Sequence, residues 1–244
     1  MHNYAQTNLQ LYRQLAEQGY PTSELAGIAR AYGLGLRLFP GTYRGSGKPF
    51  LAHLVGTASI LGTLQARMPV IASGLLHAVY THGEFGNGWR GISSPKRAEV
   101  RDAVGEEIED LVARYTALRW ETRTIPAIRA RLGAMSPLER EVLLVRLANE
   151  LEDHLDLGIL YLADAEPRLR FMQADLPAAV EMAELLGFPS LAKSLTATFE
   201  EVVRAEVDSS LRLAETESFR LPFASHRLRL RVALSHLIAR FLRG

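Results

Sequence analysis

The chain has 244 residues, 48% hydrophobic and 23% charged, and its 28 basic and 27 acidic side chains leave a formal net charge of +1. That length can bury a large core in one or two domains, while so small a net charge supplies no broad field for steering nucleic acid. The absence of cysteine excludes disulfides, thiolate metal sites and thiol nucleophiles, and no apolar run is long enough for a membrane span.

The N-terminal stretch lacks a basic segment followed by an apolar one, so a cytoplasmic location is expected. Residues 5 to 18 carry Leu9, Leu11, Tyr12 and Leu15 at helical spacing, and Gly19-Tyr20-Pro21 stops them. Thr22-Ser23-Glu24 starts a second helix toward Tyr32, with a hydroxyl available as cap. Phe39 to Pro49, with three glycines and two prolines, is a loop by composition. Phe50 to Leu64 reads as an apolar helix, and Pro69 fits the first turn of another running from Val70 to Tyr80.

The segment from His82 to Ser94 is glycine-rich and aromatic and reads as a loop. Helical patterns resume over Arg97 to Ala113, briefly over Thr124 to Leu132, and then in a long element opened by Ser136-Pro137 and Glu139. Leu143, Leu144, Leu147, Leu151, Leu155 and Ile159 make its apolar stripe. Pro177 and Pro189 mark further helix starts, and helices are expected from about Leu191 to Glu217 and from Arg227 to Leu242. Alternating strand patterns are nearly missing. The expectation is an all-α chain: one helical domain over 1–244, a core at about 40–165 and a C-terminal helical extension at about 177–244.

Two segments single out histidines. Ser46-Gly47-Lys48-Pro49-Phe50-Leu51-Ala52-His53 leads from the loop into a helix, and Leu75-Leu76-His77-Ala78 lies in the next. Together with Leu147-Ala148-Asn149 further on, these resemble the HD-domain metal-dependent phosphohydrolases, most of all the hydrolase half of the (p)ppGpp synthetase/hydrolase proteins. The resemblance spans roughly residues 40 to 160. It implies an HD-like helical bundle in which the two histidines share a pocket. The chain departs from that pattern at Ala78 and Asn149, where the superfamily has aspartates, and at Thr81 and His82, where the nucleotide hydrolases have an acidic pair. A hard divalent ion wants charged oxygen ligands, so these departures argue against ordinary HD phosphohydrolysis.

Read from the residues, His53, His77 and His82 could present three nitrogens to zinc, iron or manganese, with a carboxylate from Asp153, Glu84 or Glu150. A metal-free site could use the same histidines for proton transfer. Tyr80, three residues after His77, would then orient an imidazole or donate to an oxyanion, and Asn149 would hold a tautomer or a carbonyl. Arg44 and Lys48 in the loop before His53 could close on an anionic group. Phe85 and Trp89 could give an aromatic wall or lid.

Arg227, Arg229, Arg231 and Arg240, interleaved with Leu230, Leu234, Leu237 and Phe241, make the last helix amphipathic, which suits docking or a homodimer more than nucleic acid. The leading expectation is an enzyme acting on a small organic, anion-bearing molecule by histidine acid/base or metal-assisted chemistry. A non-catalytic ligand- or partner-binding protein is one alternative, and a metal-dependent phosphohydrolase with substituted ligands is another.

Overall fold

The computed structural model describes residues 4–86 and 88–221. Eleven α-helices make up almost all of the described fold: α1 (Asn8–Glu17), α2 (Thr22–Leu38), α3 (Phe50–Thr63), α4 (Met68–Leu76), α5 (Val79–His82), α6 (Ser94–Val104), α7 (Glu106–Ala117), α8 (Ile125–Ala130), α9 (Pro137–His154), α10 (Ala165–Leu185) and α11 (Pro189–Arg204). Two two-residue strands, β1 (Thr42–Tyr43) and β2 (Phe219–Arg220), pair antiparallel. The all-helical class is thus as expected, with further helices after the core. No helix among the described residues is long and apolar enough to cross a membrane.

The core is organised around α3 and α4. Both are apolar on nearly every face, so both must be enclosed. α1, α4 and α9 pack on α3, while α2, α7 and α9 pack on α4. The two central helices approach closely because Gly74 faces Ala58: a Cβ at Gly74 would lie 2.7 Å from Leu61 Cδ1 and 3.3 Å from the Ala58 Cα. α10 and α11 form a hairpin whose second helix leans on α9.

Several boundaries differ from the sequence pattern. α2 continues past Tyr32 to Leu38, because Leu34 and Leu38 keep the buried stripe going. The expected helix from Val70 to Tyr80 breaks at His77 and Ala78, and α5 restarts at Val79. Pro177 lies inside α10 rather than at its start. The missing N–H costs one helical bond, while burial of Met172, Ala179, Met182 and Ala183 along one face holds the helix through it. The helix expected to reach Glu217 stops at Arg204; beyond it the chain turns at Ser209–Leu211, Leu213 N–H donates to the Tyr161 carbonyl, and β2 follows. The helix expected over Arg227 to Leu242, with the dimer contact assigned to it, lies outside the described residues.

Candidate functional site

Four elements converge on His53. The loop before α3 is tightened by a turn in which Arg44 N–H donates to the Lys48 carbonyl and Gly47 N–H to the Arg44 carbonyl, with Gly47 at φ 81°. Pro49 then fixes the start of α3, placing His53 in its first turn. α4 ends at His77. α9 starts from a capping box in which Ser136 and Glu139 satisfy each other's backbone, and at its far end it presents Asn149, Glu152 and Asp153 on one face.

His53, His77, Asn149 and Glu152 are all buried. His53 Nδ1 faces a Glu152 carboxylate oxygen, with Asp153 Oδ1 at 3.6 Å. On the other edge of the ring, His53 Nε2 stands 3.3 Å from His77 Nε2. His77 Nδ1–H donates to the Gly74 carbonyl at 2.8 Å. Glu152 takes a second partner in the Lys48 ammonium, which also reaches Asp156 at 3.1 Å. Arg44 pairs with Asp153 at 2.5 Å, and the Asn149 amide donates to the other Asp153 oxygen at 3.0 Å. Asn149 Oδ1 is buried with no hydrogen-bond partner among the described residues.

Space for Glu152 is made by the backbone of α3. A Cβ at Gly56, one turn after His53, would lie 2.5 Å from Glu152 Oε1 and 2.7 Å from its Cγ. His53, Glu152 and Asp153 form a cluster of donor atoms able to hold a metal ion or to exchange protons.

Burial governs the charges. It pushes Glu152 well above the usual carboxylate range, against the pull of Lys48, and it pushes His53 down to about 3. Both shifts run against placing opposite full charges on this buried pair. Burial also holds His77 well below its ordinary value. Burial works to raise Asp153, but Arg44 and its neighbours hold that carboxyl well below the usual range.

Burial, with Arg44 and Arg90 nearby, lowers His82 from 6.5 to about 4. A histidine depressed on folding binds fewer protons folded than unfolded, so its stabilisation is present above 6.5 and is lost as pH falls toward the folded value. Urea titrations are therefore expected to show stability falling between pH 6.5 and 4. His82→Gln should flatten that fall by about 2 kcal/mol, an amount already reduced for solvent screening. An unchanged slope in that variant would show that His82 is not depressed.

The site residues expected from sequence are only partly gathered. Arg44, Lys48, His53, His82 and Asp153 line one cavity of about 610 Å³; His77 and Asn149 stand behind it, tied to His53 and Asp153. His82 folds back past the α4 end, its ring tilted against Phe50 at 5.3 Å. Arg44 and Lys48 do reach the cavity, but carboxylates already hold both.

Tyr80 is carried elsewhere by the break after His77: its hydroxyl donates to Glu109 at 2.8 Å, a carboxylate also clamped by Arg97 and Arg101. Phe85 stacks on Tyr80 at 6.2 Å beneath the Lys96 ammonium, and Trp89 is 79% exposed, so neither walls the cavity. The aromatic rings that line it are Trp120, Phe171 and Phe199. Glu84 pairs with Arg220, and Glu150 with Arg146. Glu152 is the site residue the sequence reading missed. Its signal was its place with Asn149, Asp153 and Asp156 at helical positions i, i+3, i+4 and i+7.

Residues 38–119, about a third of the chain, match a family described as Domain of unknown function (DUF6817). No curated protein matches the chain. A solved structure reported under the description "A metazoan ortholog of SpoT hydrolyzes ppGpp and plays a role in starvation responses" is 15% identical, with a TM-score of 0.49. The match covers 76% of this chain and 96% of that one.

Proposed function

We propose that the cavity is the active site of an enzyme acting on a small organic molecule, with a divalent ion held by the Nε2 atoms of His53 and His77. The observation that carries this reading is the 3.3 Å approach of those two atoms. A carbonyl only accepts, so His77 Nδ1 carries that ring's proton and Nε2 is a lone pair. Glu152 beside His53 Nδ1 favours the same tautomer there, as carboxylates do behind metal-bound imidazoles. Two nitrogens each about 2.0–2.1 Å from a tetrahedral ion stand roughly 3.4 Å apart.

Asn149 Oδ1, without a partner among the described residues, would be the third donor, at the position where the sequence resemblance puts the last metal ligand. The opposite, Nδ1 edge is less suitable, because Lys48 and Arg44 already match the charges of Glu152 and Asp153. This donor set fits zinc or iron, with manganese less suited and magnesium or calcium poorly served.

When bound, such an ion supplies Lewis-acid polarisation of a substrate oxygen. The protein's own groups supply the rest. Lys48 holds Glu152, and Glu152 fixes the ring of His53. Thr81 donates its hydroxyl proton to the Ala78 carbonyl and so accepts from His82 Nδ1–H, leaving His82 Nε2 to take a proton at the cavity wall.

The same 3.3 Å contact favours a second reading, in which His53 Nε2–H donates to His77 and the chain Glu152–His53–His77 carries a proton without metal. Cobalt(II) titration separates the two. Visible absorption bands that saturate at one ion per chain and vanish in His53→Ala are expected. A spectrum without bands would favour the proton relay.

A further inference from the structure

The acidic side chains lining the cavity outnumber its cations. Glu150 pairs with Arg146 and Asp153 with Arg44, Glu152 and Asp156 share Lys48, and the third lining cation, Arg168, is held by Asp164. Asp175 accepts a hydroxyl hydrogen bond from Thr122 at 3.0 Å, and neither it nor Glu217 has a cation partner among the described residues. An anionic ligand would have to pull Arg44, Lys48 or Arg168 away from carboxylates that then stand uncompensated. A cationic one meets charge that is already there.

Part of the lining is apolar: Met172, Leu176 and Phe199 face the same space. His154 lines it too, 8% exposed, with its ring 4.9 Å from Phe199 and its Nδ1 without a hydrogen-bond partner among the described residues. A buried ring nitrogen of this kind lacks one bond, which an N–H of a ligand entering beside the ring would supply.

We infer that the ligand of this cavity is an organic cation, an ammonium group on a short apolar body. Its charge lies toward Asp156 and Asp175, its body lies against Met172 and Phe199, and an N–H is donated to His154. The inference rests on the reading of this cavity as the active site and names the substrate class that site takes.

Calorimetry on the full chain with 3-phenylpropylamine and 4-phenylbutyrate, matched in size and opposite in charge, tests it. The amine is expected to bind at least about tenfold tighter, to weaken with added salt, and to lose about threefold or more in each of Asp156→Asn and Asp175→Asn. Both aspartates are on the cavity rim and neither substitution removes a core contact, so the variants are expected to fold. A carboxylate bound as tightly as the amine would overturn the inference. So would amine affinity unmoved by both variants, or no amine binding up to about 10 mM. The readout is binding alone, so failure here is distinct from failure to find metal or turnover.

Discussion

Glu152→Ala is expected to destabilise the fold by about 3–5 kcal/mol in urea denaturation, the largest single effect at this site. Glu152 is 1% exposed and joins two groups that cannot be left alone. Among the described residues, its removal leaves the Lys48 ammonium, 14% exposed, with only Asp156 at 3.1 Å, and leaves His53 Nδ1 without its nearest oxygen. The cost therefore comes mostly from stranded partners, not from the strength of the original pair. The double replacement Lys48→Met with Glu152→Leu should recover much of the loss, because an apolar pair of similar volume replaces a buried ionic one at little net cost. If the double variant is as unstable as the two single losses added together, the Lys48–Glu152 pair is not coupled and the burial argument fails.

The second large effect is expected from Gly56→Ala, where the sign is the informative part. Alanine is the better helix former by about 1 kcal/mol, so an unhindered glycine-to-alanine change inside a helix stabilises. At Gly56 the new methyl would sit 2.5 Å from Glu152 Oε1 and 2.7 Å from Cγ, so the entire carboxylate must move. Overpacking of this kind costs about 1–3 kcal/mol, and it also displaces the group that orients His53. Gly33 in α2 is the control: nothing lies within 4 Å of a Cβ there, so Gly33→Ala should stabilise by about 0.5–1 kcal/mol. Stabilisation in both variants would show that Glu152 is not seated against α3 as described.

How far the chain could be read in advance depended on what kind of signal each residue carries. The helices of the core were legible because α3 and α4 are apolar all round and α9 carries both a capping box and a long stripe. The shared place of His53 and His77 was legible through the motifs around them. The fate of Tyr80 was not. Three-residue spacing puts two side chains on one face only while the helix continues, and the break at Ala78, with ψ 6°, turned Tyr80 toward Glu109.

Arg44 and Lys48 carried positive charge in a flexible loop, which suggested an anion. What sequence spacing could not show is that their partners lie more than a hundred residues away on α9. The aromatic wall was misplaced for a similar reason. Phe85 and Trp89 are close to His82 along the chain, while Trp120, Phe171 and Phe199 reach the cavity only through the packing of α9, α10 and α11.

The central proposal is that the Nε2 atoms of His53 and His77 hold a divalent ion. Elemental analysis of the purified chain tests it most directly, beside His53→Ala, His77→Ala and the remote control Tyr80→Phe. The expected result is close to one zinc or iron per chain, lost in both histidine variants and kept in Tyr80→Phe. A folded chain carrying no stoichiometric metal, or one whose metal survives both histidine replacements, would contradict it.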